Sequence, residues 1–164
     1  MMGEFVLDRT FGFQDGIMGG NLWFMASNED TAIDAAEAAA EAIAAFPGVI
    51  MPFPGGVAAS GSKAGSRYQF LFASTNHPFC PTLKDSLGDE SQVPDGVGSI
   101  SEIIINGHDL ETVRQATYAG IAAARNVAGL KRISAGNYGG RLGKNFIHLR
   151  EALTDDAGAA SPSA

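Results

Sequence analysis

The chain has 164 residues, a mass of 17.0 kDa, a net charge of -7 and a pI near 4.8, with a single cysteine. A chain of that length buries a real core, so one domain, or one lobe of something larger, is expected. Its eleven Lys and Arg are scattered, with only Lys131-Arg132 adjacent, which excludes the clustered cations of a nucleic-acid binder, and lone Cys80 excludes an internal disulfide and points to a reducing cytoplasm.

The opening MMGEFVLDRTF has no basic start, apolar segment or cleavage site, and no apolar run reaches the length of a membrane span. A cytoplasmic chain without membrane contact is expected. NLWFMAS, Asn21 to Ser27, is predicted as a strand bounded by Gly19-Gly20 and by SNED. A helix should follow. Thr31 with Asp34 spells a capping box, Ile33, Ala36, Ala40 and Ile43 line one face, and Asp34, Glu37 and Glu41 line another. Pro47-Gly48 stops it, and Val49 to Met51 begins a second strand running toward Phe53-Pro-Gly-Gly56.

FPGGVAASGSKAGS, Phe53 to Ser66, is written like a phosphate-gripping loop. Gly56 and Gly61 have Walker A spacing, but Ser62 intervenes, Lys63 arrives one residue late and Ala64 takes the place of the metal-binding hydroxyl. The following SRYQFLF reads as extended chain, with no helix N-terminus to hold an anion. Ser60 and Lys63 also spell Ser-x-x-Lys, yet that chemistry needs a helix and a Lys-Thr-Gly strand that the chain lacks. The loop's role has to come from its surroundings. It opens about forty residues rich in Gly, Ser, Pro and Asn, whose Tyr68, Phe70, Leu71, Phe72 and Phe79 are too many apolar anchors for disorder.

ISEIIING is predicted as the next strand, Asp109 as the cap of a helix with inner face Leu110, Val113, Thr117, Ile121 and Ala124, and Lys131-Arg-Ile-Ser as a strand after Gly129. Strand, helix, strand, Gly-Gly thus occurs twice, the second pair being Gly139-Gly140. The expected fold is an α+β, ferredoxin-like βαββαβ sheet with both helices on one face and a long insert between its halves. It should occupy residues 1–153, with 154–164 a frayed tail.

Both faces of NLWFMA and ISEIIIN are mostly apolar, and helices on one side cover only one of them. The other face should need a second lobe or another subunit. Glu102 is the one carboxylate inside an otherwise apolar strand. Two readings stay open for it: an ion pair with an arginine of another chain, or a desolvated, neutral, proton-donating carboxyl. His77, His108 and His148 have no ligand spacing, so no metal is expected. Cys80, between Phe79 and Pro81, reads as a small buried filler.

The strings GEFVLDRTFG, MGGNLWFMA, PFPGG, S-K-x-GS from Ser62 to Ser66, ASTNHPFCPT, EIIING and ISAGNYGGRLGKNFIHLRE, from about Gly3 to Leu153, resemble the formylmethanofuran:tetrahydromethanopterin formyltransferases. That family implies two ferredoxin-like lobes in a polypeptide about twice as long, of which this chain resembles the distal, C-terminal lobe, leaving the first lobe unaccounted for. The implied reaction moves a formyl group between methanofuran and N5 of tetrahydromethanopterin, without metal or tightly bound cofactor, in methanogenesis or bacterial formaldehyde oxidation. The resemblance implies Glu102 as the acid. It makes Gly55, Gly56, Ser60, Ser62, Lys63, Asn76, Asn137 and Tyr138 candidate substrate contacts, with two readings open for each of two residues: Lys63 as a solvated surface charge or as facing an anionic carrier, and Tyr138 as a core residue or as stacking on a pterin. Implied partners are a second copy, a chain supplying the first lobe, or other subunits of a formyltransferase/hydrolase complex. A non-catalytic carrier-binding or assembly lobe, or a fragment, is the alternative.

Overall fold

The computed structural model describes residues 6–59, 77–136 and 143–153. Strand β1 (Ile17–Ala26) leads into helix α1 (Glu29–Ala44), followed by the two-residue strands β2 (Val49–Ile50) and β3 (Ala58–Ala59). After short helical turns, among them α2 (Lys84–Leu87), come β4 (Ser99–Gly107), α3 (Leu110–Ala124) and β5 (Leu130–Ser134). The sheet has the order β2-β4-β1-β5, every described pairing is antiparallel, and β3 joins the same edge of β4 that β2 occupies.

Two strand-helix junctions are built alike. Asn28 and Asp109 are extended at the N-cap, and each side chain accepts from the backbone N–H three residues on, at 2.9 Å from Thr31 and 2.8 Å from Thr112. The Asp109 cap is therefore the predicted one. The first helix starts earlier than predicted, because Asn28 takes the capping role assigned to Thr31, whose backbone is the donor. Of the predicted inner stripe of α1, Ala36, Ala40 and Ile43 are buried, joined by Ala32, Ala35 and Ala39, while Ile33 is only half-buried. Alanines let α1 lie close to sheet and helix, and a reading weighted to large apolar residues chose Ile33 instead.

Gly19-Gly20, expected to bound β1, lies inside it. The register with β4 shifts between Ile17 and Gly20, Gly19 has φ +83, and its N–H donates to Asn106 Oδ1 at 2.9 Å. A positive φ at a bulge is readily supplied by glycine.

One face of the sheet carries Leu22, Phe24, Ile103 and Ile105 against α1 and α3, all fully buried. The other face carries Trp23, Met25 and Ile100, and these are buried too, by Val93, Val97 and Phe79. The expectation that this face needs an outside partner is corrected over that stretch, because the insert returns across it. Trp23 and Phe79 have ring centroids 4.9 Å apart at a tilt of 51°. Met18 and Ile50 are 80% and 65% exposed, with no cover among the described residues. The anchors Tyr68, Phe70, Leu71 and Phe72, the Gly139-Gly140 pair and the 154–164 tail lie outside the described residues. Among the described residues no helix is long and apolar enough to cross a membrane.

Candidate active site

Strand alternation puts Asn21, Trp23 and Met25 of β1 on the same face as Glu102, Ile104 and Ile100 of β4, with Trp23 directly across from Glu102 and Asn21 across from Ile104. β5 ends at Ser134, and the chain beyond it turns over the Trp23 ring at Gly136. A cavity of about 890 Å³ opens there, its wall including Gly19, Asn21, Glu102, Gly136, Lys144 and His148.

The half-buried Glu102 carboxyl is desolvated by the sheet around it, and this burial raises its pKa above the ordinary glutamate value. Two donors oppose the rise, the Trp23 indole and the Asn21 amide. Asn21 Nδ2 donates to Glu102 Oε1 at 3.2 Å. The Trp23 N–H acts on the carboxyl at short range but reaches no acceptor in hydrogen-bond geometry among the described residues. No cation lies within ion-pair distance of Glu102 among the described residues. An acid with a raised pKa, facing a cavity and held by a neutral amide, is suited to donate a proton and accept it back.

The far wall is held by Tyr118 of α3. Its buried hydroxyl donates to Glu151 Oε2 at 2.8 Å, with His148 O at 3.2 Å as the more distant acceptor, which ties the 143–153 stretch to the helix. Desolvation, and then the Glu151 carboxylate, push the Tyr118 pKa up. Lys144 brings a positive charge to the same wall.

Of the predicted site residues, Glu102 lies on the cavity. Gly55 and Gly56 do not line it: they form a turn with φ +66 and +80, and buried Gly56 packs against Met51 and Ala40 of α1. Their loop nevertheless runs into β3, where Ala58 pairs with Glu102. Ser60, Ser62, Lys63, Asn76, Asn137 and Tyr138 lie outside the described residues. Both stretches holding them leave the described chain beside the acid, one after Ala59, which pairs with Ser101, and one after Gly136, which bonds to Asn21. His77 is away from the cavity wall, on a short turn before Phe79, whereas His148 lines it. Cys80 is buried, its Sγ 3.2 Å from Thr82 Oγ1. No group of three or more His, Cys, Asp or Glu among the described residues is placed to hold a metal. Sequence reasoning missed Asn21, Gly136 and Lys144. Asn21 had a signal, as a polar residue on the face of β1 that meets Glu102.

A family model described as FTR, proximal lobe, matches residues 3–152. The chain belongs to this formyltransferase family. It is the proximal lobe that is matched, which corrects the expected assignment to the distal lobe. The motif strings point to the family, and nothing in the strings themselves says which lobe carries them.

Among curated relatives, a formylmethanofuran--tetrahydromethanopterin formyltransferase of Methanothermus fervidus is 52% identical over 152 residues, 92% of this chain and 51% of that protein. One of Methanocaldococcus jannaschii is 51% identical over 154 residues, with the same coverage. This chain spans about half the length of the curated relatives it matches. Of solved structures, a formylmethanofuran:tetrahydromethanopterin formyltransferase from Methanosarcina barkeri superposes with a TM-score of 0.75 at 49% identity, over 84% of this chain and 46% of that one. The formyltransferase/hydrolase complex of Methylorubrum extorquens, solved with methylofuran, gives 0.74 at 41% identity, over 84% and 45%.

Proposed function

We propose that this chain takes part in transferring a formyl group between formylmethanofuran and N5 of tetrahydromethanopterin, with Glu102 as the acid. The observation that carries this is the cavity-facing Glu102 carboxyl, its pKa raised by burial and one oxygen held by an amide, in a chain of the formyltransferase family. In this reading N5 attacks the formyl carbon and forms the new C–N bond. The carbonyl oxygen takes up negative charge, and the old C–N bond breaks as Glu102 gives its proton to the leaving amine. The proton released from N5 returns to the Glu102 carboxylate, so no net proton is consumed.

Ser60, Ser62, Lys63, Asn76, Asn137 and Tyr138 are proposed contacts for the two carriers, supported by the attachment of both stretches beside Glu102. Gly55 and Gly56 shape the turn that leads the first stretch there. Lys144 joins Lys63 as a cation for a carrier bearing carboxylates. The order β2-β4-β1-β5 supports the ferredoxin-like reading, with 77–98 as part of its insert. A cytoplasmic location, in methanogenesis or formaldehyde oxidation, goes with the same reaction. Uncovered Met18 and Ile50 support association with a second copy or with a chain supplying the rest of the relatives' length. Sedimentation as a well-folded 17.0 kDa monomer, alone and with that chain, would remove the association.

Formyl transfer is to be measured for this chain alone and mixed with a polypeptide supplying the other half of a relative. Turnover should appear in the mixture and fall by about 10²- to 10⁴-fold in Glu102→Gln. Unchanged turnover in the variant removes Glu102 from the role. A second reading, a lobe that only binds a carrier, predicts carrier binding that survives Glu102→Gln with no turnover in any mixture.

A further inference from the structure

Asn21 uses both ends of its amide. Oδ1 accepts the Gly136 N–H at 3.0 Å, and Nδ2 lies 3.2 Å from Glu102 Oε1 and 3.4 Å from Gly136 O. A backbone N–H can only donate, so its contact identifies Oδ1 and turns the NH₂ hydrogens toward Glu102. Gly136 in turn has no room for a side chain: a Cβ there would lie 2.5 Å from Trp23 Cζ2 and 3.2 Å from Asn21 Nδ2. Across the strand pair from Glu102, the buried Trp23 indole N–H has no partner among the described residues.

We infer that Asn21, clamped by Gly136, is a positioning residue that fixes which oxygen of Glu102 carries the transferable proton. This rests on the reading of Glu102 as the acid. A donor on Oε1 makes that oxygen the accepting, carbonyl-type atom of the neutral carboxyl, and the proton resides on Oε2. When the Oε2–H bond breaks and the proton goes to the leaving amine, Asn21 keeps its bond to the new carboxylate. The Trp23 N–H, near the carboxyl but outside hydrogen-bond geometry, is then an available second donor. Hydrogen bonds to a charged acceptor are the stronger ones, so both donors favour the product of proton transfer over the resting acid.

The test is isotope-edited infrared and carbon NMR titration of the Glu102 carboxyl in this chain, as parent, Asn21→Leu, Asn21→Asp and Gly136→Ala, with folding checked by circular dichroism. In Asn21→Leu the protonated C=O band should move to higher frequency and the group should titrate at higher pH. Asn21→Asp keeps the acceptor for Gly136 but turns an oxygen toward Oε1, and should raise the titration by about one unit or more. Gly136→Ala, which displaces the clamp, should shift both readouts in the direction seen for Asn21→Leu. In the reconstituted transfer assay Asn21→Leu should lose about 10- to 100-fold in kcat at unchanged KM, its pH profile following the infrared titration. A Glu102→Gln chain as fast as the parent overturns the acid reading, and the positioning role with it. A large loss in Glu102→Gln, with an unmoved carboxyl in Asn21→Asp, overturns the positioning role alone.

Discussion

The two faces of the sheet are made by the same strands and differ in what covers them. Leu22, Phe24, Ile103 and Ile105 are sealed by two capped helices, α1 with a mostly alanine inner stripe and α3 with a mixed one, and apart from Thr117, bonded to Val113 O at 2.7 Å, and the Tyr118 hydroxyl, that packing is apolar. Trp23, Met25 and Ile100, one residue out of step, are sealed by short turns of the insert, and this cover ends where Glu102 and Asn21 begin. The first face supplies rigidity and the second tolerates a desolvated acid and an indole N–H that has no hydrogen-bonded acceptor among the described residues. Placing reactive groups on a strand whose reverse side is fully packed fixes them without a dedicated scaffold.

The comparison breaks first on the helix side. Phe24→Ala, emptying a fully buried aromatic site between β1 and the helices, should cost about 3–5 kcal/mol in urea unfolding, because the short alanine side chains of α1 cannot collapse into the space. If the loss were smaller than for substitutions on the other face, the helix side would not be the principal core.

On the opposite face, Phe79→Ala removes the ring that leans on Trp23. The lost pairing should cost roughly 0.5–1.5 kcal/mol, plus the burial of a half-covered ring. Trp23 is the sole tryptophan of the chain, so its emission reports on this cover directly. A red shift in Phe79→Ala with the far-ultraviolet dichroism unchanged is the expected result. An unmoved emission maximum would mean that Val93 and Val97 exclude water from the indole on their own.

How much of this was legible follows the same division. Much of the helix side was legible in local signals: the Asp109 cap, the Pro47-Gly48 stop and the buried Val113, Thr117, Ile121 and Ala124 are where periodicity and capping chemistry put them, while Leu110 of the same stripe is half-buried and the first helix is capped by Asn28. Gly19-Gly20 misled because a glycine pair reads alike as a strand end and as a bulge. Glu102 was legible as a carboxyl amid isoleucines. Its Asn21 partner was not, since that contact joins residues 81 apart and Gly136 joins from 115 positions away. The cover over Trp23 was hidden for the same reason, as Phe79, Val93 and Val97 sit in a Gly- and Pro-rich stretch with no periodicity to show where it returns.

The smallest expected effect sharpens the comparison most, because its sign depends on pH. Burial raises the Glu102 pKa above the ordinary value of 4.5, so below pH 4.5 the carboxyl is neutral in both folded and unfolded chains and stability carries no penalty from it. As pH rises through 4.5 the unfolded chain releases this proton while the folded chain keeps it, and stability falls until the folded carboxyl also ionises. Above that point the penalty is constant. Gln never ionises, so Glu102→Gln should match the parent in thermal midpoint at low pH and exceed it increasingly from about pH 4.5 upward, levelling off at the folded pKa. Asn21 and Trp23 oppose the rise, which keeps the effect below that of emptying the Phe24 site. A variant less stable than the parent at neutral pH would mean that the carboxylate is well solvated or paired with a cation in the folded chain, and the face carrying it would then be no more than a polar edge of the core.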